Sequence, residues 1–265
     1  MRSLLFVPAH KEELIKKARD CNADALILDL EDSCPGDQNK IKGIKNIIKY
    51  ANMIEGKTVF VRISDTDQLD LIPVKYIVWP KASFRIANIP KFHVNGSLKV
   101  LLLIETALGV ISLHDTIGFK TVIGAVFGNE DYTADTLCTT YDFAQATIVN
   151  CAKAFNKLAI DSVNVDVHNL EKLQKDCIKG RSLGFDGKLC IHPKEIETIH
   201  TWYTPTIQEY EHSCRVTELY GQAERNGDGV AIIDGVYVAP PMVKYAQKII
   251  KKYETYSSSK HKNNT

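Results

Sequence analysis

The sequence predicts an α/β protein: a (β/α)8 barrel of the TIM type followed by a C-terminal helical and hairpin extension. Three observations predict it. Short β-branched runs alternate with longer helical patterns along most of the chain, the rhythm of βαβ units on a parallel sheet. Eight such runs are present, the number that closes a barrel, although a doubly wound open sheet competes. Finally, 265 residues, 45% of them hydrophobic, suffice for one large core.

The candidate strands are Leu4–Val7, Ala25–Leu28, Thr58–Ile63, Tyr76–Trp79, Val100–Ile104, Val122–Phe127, Ser162–Val165 and Gly187–Ile191. Between them lie helical patterns, among them Glu12 to Arg19, Gln38 to Tyr50, Phe143 to Phe155 and Leu170 to Leu183. After Pro193 the rhythm changes. A helix is expected from about Thr206 to Arg225, then a hairpin turning at Asp234-Gly235, then a helix from Pro241 to Tyr253. The domain reading is therefore a catalytic barrel over 1–200 and an extension over 201–256, serving as a lid, a subunit contact or a simple packing pair. The last residues, 257–265, hold little apolar surface to offset ordering entropy and are expected to be disordered.

Composition excludes several function classes. The 33 basic and 32 acidic side chains nearly cancel, so no global field draws the chain to nucleic acid or to an anionic membrane surface. The longest apolar runs fall far short of the roughly 18 residues a membrane span requires. The seven cysteines form no C-x-x-C pair and read as free thiols of a reducing compartment. With Arg2 leading directly into the first strand there is no signal-peptide pattern, so a cytoplasmic protein is expected.

Polar residues of catalytic type recur just past the apolar runs, which in a parallel barrel share one face. Glu105 in Leu103-Ile104-Glu105-Thr106 and Asp131 in Gly128-Asn129-Glu130-Asp131 each follow a buried strand, where a carboxylate needs a partner. Mg2+, which takes one or two protein carboxylates and keeps places for water and substrate, is one such partner; ordinary salt bridges are the other. Arg62 offers a fork for a carboxylate or an ion pair for Asp29 or Glu31. Asp29-Leu30-Glu31-Asp32 packs three acids into four residues, a density suited to orienting Arg62 and water. Glu130 reads as a helix-start residue. Lys81 meets an anionic substrate or solvent, His192 contacts substrate or caps the rim, and Arg2 and Lys11 flank a helix opening suited to phosphate.

Taken together, these segments resemble the citrate lyase beta subunit-like family. They are Arg2-to-Pro8, Ala25-to-Asp32, Val59-to-Ile63, Pro80-Lys81-Ala82, Ile104-Glu105-Thr106, Phe127-to-Asp131, Gly187-to-Pro193 and Val230-to-Gly235, in family order over nearly the whole chain. The resemblance implies a Mg-dependent carbon–carbon lyase that cleaves a citryl-, malyl- or citramalyl-type thioester into an acetyl-thioester and a 2-keto acid. It implies Mg2+ on Glu105 and Asp131, the keto acid on Arg62, and coenzyme A phosphates near Arg2 and Lys11. A homotrimer is implied, and an acyl carrier protein or other citrate lyase subunits are further partners. Two departures stand out: Pro8-Ala9-His10-Lys11 replaces the usual Pro-Gly opening, and Ala239 stands where many relatives carry a lid aspartate. A CoA-independent keto-acid aldolase and a weakly active metal- and keto-acid-binding assembly subunit remain as alternatives.

Overall fold

The computed structural model describes residues 1–84 and 98–262, with side chains through 257. They divide into two compact units, Met1–Tyr203 and Thr204–Thr265. In the first, the order is β1 (Ser3–Pro8), α1 (Glu12–Arg19), β2 (Ala25–Asp29), α2 (Asp37–Tyr50), β3 (Thr58–Arg62), α3 (Gln68–Leu71) and β4 (Tyr76–Trp79). It continues with β5 (Lys99–Ile104), α4 (Ala107–Ile111), α5 (Leu113–Ile117), β6 (Val122–Phe127), α6 (Asn129–Thr136) and α7 (Asp142–Ala154). Then come β7 (Leu158–Asp161), α8 (Leu170–Leu183), β8 (Gly187–Cys190) and α9 (Glu195–Tyr203). The strands pair in sequence order, all parallel, and β1 pairs β8 through Leu4↔Leu189, so the sheet closes into the expected eight-stranded barrel.

Alternation along the strands divides the core. In β2, Ala25 and Ile27 point into the barrel with Phe60, Leu101, Leu103 and Ile160, while Leu26 and Leu28 join the layer under the helices. Every residue of β2 is buried, which is why it reads as a continuous apolar run rather than an alternating one. Two glycines permit close approach: a Cβ on Gly124 would lie 2.5 Å from the Leu158 carbonyl, and one on Gly187 2.4 Å from that of Arg2.

One strand differs from expectation. The seventh is Leu158–Asp161, not Ser162–Val165. Ser-Val-Asn-Val mimics period-two alternation, but the chain has already left the sheet there, and Asn164 turns it by donating to the Asp166 carbonyl at 2.8 Å. The true strand was masked by its charged end. Asp161 is buried against Lys188 of β8 at 3.0 Å, with Gln145 of α7 donating to its other oxygen.

The second unit comprises α10 (Ile207–Arg225), the hairpin β9 (Ala231–Ile233) and β10 (Val236–Val238), and α11 (Pro240–Lys262). Thr206 and Glu209 cap α10 reciprocally. Asp234 and Gly235 both take positive φ, 51° and 77°, as a two-residue hairpin turn demands. Val216, Tyr220, Ile233, Val238, Val243 and Ala246 form its own small core. The helix α11 continues through Lys262, so 257–262 are helical rather than disordered as expected; 263–265 lie outside the described residues. Among the described residues no helix is long and apolar enough to cross a membrane. All seven cysteines are free thiols.

Candidate active site at the barrel mouth

Strand parity assembles the site. Ile27, Phe60 and Leu103 face the barrel interior, so Asp29, Arg62 and Glu105, each two residues further on, face the same way at the C-terminal end. Asp29 and Arg62 are register partners on neighbouring strands. Their side chains meet in a fork: Arg62 Nε donates to Asp29 Oδ1 at 2.6 Å and Nη2 to Oδ2 at 2.8 Å. The third nitrogen, Nη1, lies 3.2 Å from Glu31 Oε2 and 3.0 Å from Asp32 Oδ2. The Phe6 ring stacks below, 4.9 Å from the guanidinium carbon.

Asp29 is fully used. Besides Arg62 it accepts from the Glu31 and Ser33 backbone N–H groups and from the Ser33 hydroxyl. Burial pushes its carboxyl up, but Arg62 and these donors outweigh burial and hold it below the usual range. Glu31 differs. Burial raises its carboxyl, with Arg62 opposing, and its Oε2 is buried without a hydrogen-bond partner despite the ion pair.

Glu105 is 2% exposed, and burial pushes its carboxyl up to about 8; the Lys81 backbone N–H opposes, while Glu31 and Asp131 add to the rise. Lys81 takes a left-handed conformation, φ 47°, and donates that N–H to Glu105 Oε1 at 2.7 Å. Its ammonium turns outward, 57% exposed and 3.6 Å from Glu31. Gly128 leaves room for Glu105, because a Cβ there would lie 2.7 Å from the Glu105 Cβ and 2.9 Å from Oε2. Helix α6 then starts, placing Asn129, Glu130 and Asp131 in its first turn.

Asp29, Arg62, Glu105 and the first turn of α6 line a cavity of about 290 Å³, whereas Glu31 and Lys81 lie outside its lining. Its lining includes five carboxylates, Asp29, Asp32, Glu105, Glu130 and Asp131, against one guanidinium, Arg62, a formal excess of four negative charges. Asn129 also lines it, with a buried Oδ1 that has no hydrogen-bond partner. A divalent cation fits this donor set: hard oxygens, a formal excess of negative charge, an orphaned amide oxygen, and a buried carboxyl, Glu105, whose pKa is raised. Among the described residues no group of three or more His, Cys, Asp or Glu is arranged to hold a metal ion.

Other sequence candidates fall elsewhere. Arg2 precedes β1, whereas the cavity lies past its far end at Pro8; six residues of strand separate the two by about 20 Å. Arg2 instead pairs with Asp24, Nη2 to Oδ1 at 2.7 Å and Nε to Oδ2 at 3.0 Å, on the N-terminal face of the barrel. The expectation that Arg2 meets coenzyme A phosphates is therefore corrected for this chain. Lys11 does lie at the mouth end, but it is exposed and outside the cavity lining. His192 caps the rim: its Nδ1 accepts from the Lys194 N–H and its own N–H donates to Glu195. Sequence reasoning missed Asn129 and Ser33. The first stood inside a motif already quoted, and the second is visible only as the partner of Asp29.

A parallel barrel whose mouth gathers carboxylates around one tethered arginine defines a class of enzyme that handles small oxyanions with a cation. Residues 71–193 match the family model HpcH/HpaI aldolase/citrate lyase. Over 277 residues it is 28% identical to a (3S)-malyl-CoA thioesterase of Cereibacter sphaeroides, covering 97% of this chain and 96% of the relative. It is 26% identical to the citrate lyase subunit beta of Haemophilus influenzae, covering 95% and 96%. The CitE protein of Mycobacterium tuberculosis, solved with magnesium, acetoacetate and coenzyme A, superposes with a TM-score of 0.78 at 25% identity, covering 96% and 98%.

Proposed function

We propose that the protein is a Mg2+-dependent carbon–carbon lyase acting on a 3-hydroxy-acyl thioester of coenzyme A. The observation that carries the reading is the tethered Arg62 beside Glu105 and Asp131 on one strongly acidic cavity. The structural relative bound to magnesium and coenzyme A supports it. Glu105 and Asp131 would hold the ion, with Asn129 Oδ1 as a further oxygen. When bound, the ion supplies Lewis-acid stabilisation of developing negative charge.

The chain's own residues divide the remaining work. Asp29 fixes the plane of Arg62, so the guanidinium meets the carboxylate of the keto-acid half without reorganising. Glu31, ion-paired with Arg62 Nη1 and with the Lys81 ammonium, would hold the far side of the guanidinium and so help to position it. In the lytic direction the 3-hydroxyl proton leaves and the C2–C3 bond breaks. The bonding pair passes to the thioester fragment, which takes up a proton to become acetyl-thioester, leaving a 2-keto acid. Lys81 acts through its backbone on Glu105, and its ammonium faces the entrance.

The thioesterase relative favours a second reading, hydrolysis of the thioester bond to a free thiol and a 3-hydroxy acid. One assay separates the two. Purified protein with Mg2+ and malyl-, citramalyl- or citryl-CoA is followed for acetyl-CoA plus keto acid, and separately for free thiol. Lysis predicts the first without the second; thiol release without keto acid overturns the lyase reading in favour of the hydrolase. A homotrimer and a cytoplasmic setting belong to the same proposal, and analytical ultracentrifugation checks the assembly.

A further inference from the structure

The turn after β4 holds Lys81 in the left-handed region at φ 47°, a conformation that glycine takes without steric cost and lysine does not. The backbone supplies one N–H there, donated to Glu105 Oε1 at 2.7 Å. Glycine would supply the same donor without the strain, so the contact with Glu105 leaves the lysine side chain unexplained. The ammonium lies 3.6 Å from Glu31 Oε1, and Glu31 Oε2 lies 3.2 Å from Arg62 Nη1. Burial of its stem disfavours the charge, but Glu31, Glu105, Asp131 and Asp32 outweigh burial and raise the ammonium above its ordinary range. Glu105 and Asp131, the two carboxylates proposed to hold the ion, therefore act on the same ammonium as the Glu31 beside it. That ammonium is 57% exposed and outside the cavity lining, so it can move away without opening a void.

Resting on the metal reading of this cavity, we propose that Lys81 is its resident counter-ion: the ammonium balances the acids at the mouth while the ion is absent, and is driven outward when a divalent cation binds to Glu105 and Asp131. Metal binding then works against a positive charge already in place, and the affinity is lower than the carboxylates alone would make it. The Lys81 N–H stays on Glu105 meanwhile, because the side chain can swing outward with the backbone fixed. A site tuned in this way releases its ion more readily than the same acids would without the lysine.

The test is calorimetric titration of the wild-type protein, Lys81→Met and Lys81→Arg with Mg2+, in low salt at about pH 9. At that pH the Glu105 carboxyl, pushed up to about 8 by burial, is mostly ionised and Lys81 is still charged, so proton competition does not obscure the comparison. Lys81→Met removes the charge and keeps the backbone donor, and is expected to bind Mg2+ about three- to tenfold more tightly than wild type. That is the size of one unit charge acting on a divalent ion several ångströms away through water, and the gain should shrink as salt is raised. Lys81→Arg keeps the charge and is expected to match wild type. Binding by Lys81→Met that equals or falls below wild type overturns the inference and leaves the metal site standing. Lys81→Arg binding as tightly as Lys81→Met also overturns it, because the gain would not follow charge. Absence of Mg2+ binding by the wild type overturns both the inference and the metal reading.

Discussion

Removing the ionisable carboxyl of Glu105 should stabilise the metal-free protein at neutral pH. Its folded-state carboxyl is raised to about 8 from an ordinary 4.5. The sign follows from linkage: below about pH 4.5 folded and unfolded chains are both protonated and Glu105 exerts no pH effect. Between 4.5 and 8 the unfolded chain sheds a proton that the folded one keeps, so stability falls as pH rises, and above 8 the loss is complete. At pH 7 the accumulated loss is about 3 kcal/mol. Glu105→Gln removes it while preserving shape, and its amide oxygen can still accept from the Lys81 N–H. The variant should gain about 3 kcal/mol in urea denaturation with EDTA at pH 7, roughly 5–10 °C in Tm for a chain of this size. Its stability should also lose about 1.4 kcal/mol per pH unit of downward slope between pH 5 and 7. Mg2+ should raise the Tm of the wild type and release protons, and raise that of the variant much less. A variant less stable than wild type, with unchanged pH slope, would refute the assignment of a buried, proton-retaining carboxyl.

Three further outcomes follow from named contacts. Asp161→Asn strands Lys188 in a site where both side chains are at most 3% exposed, so equilibrium denaturation should show a loss of about 3–5 kcal/mol. The double variant Asp161→Leu, Lys188→Met should recover most of it, and failure to recover would point to the Gln145 and packing contacts instead. Asp32→Asn weakens a half-solvated competitor for Arg62 Nη1, so keto-acid Kd with Mg2+ should fall by about two- to fivefold; weaker binding by the variant would show that Asp32 assists rather than competes. Thr206→Ala breaks the capping box of α10 at a cost of about 1 kcal/mol, read as faster hydrogen exchange in the first turn of that helix.

How much of the site was legible in sequence turns on strand placement. Asp29 and Asp161 have similar local signatures, an acid closing a short buried apolar strand, yet one lines the cavity and the other bonds a lysine under the helices. Parity separates them. Asp29 lies two residues beyond inward-facing Ile27, whereas Asp161 lies one beyond inward-facing Ile160 and so points outward. That rule needs only the sequence, provided the strand is placed correctly. It worked for Arg62 and Glu105, and it was unavailable at β7, where the apparent alternation of 162–165 concealed the real element. Direction is the second legible feature, and it corrects Arg2: a residue that opens a parallel barrel strand lies at the opposite end from those that close it, whatever motif it belongs to. What no pattern supplies is saturation. Asp29 and Glu31 are neighbours of similar chemistry, and only the donors from Ser33 and Arg62 decide that Asp29 is saturated with hydrogen bonds while Glu31 makes ion pairs with Arg62 and Lys81. Such donors come from the loop after β2 and from a strand over thirty residues away, so the difference between a hydrogen-bonded and an ion-paired carboxylate appears only when the barrel is closed.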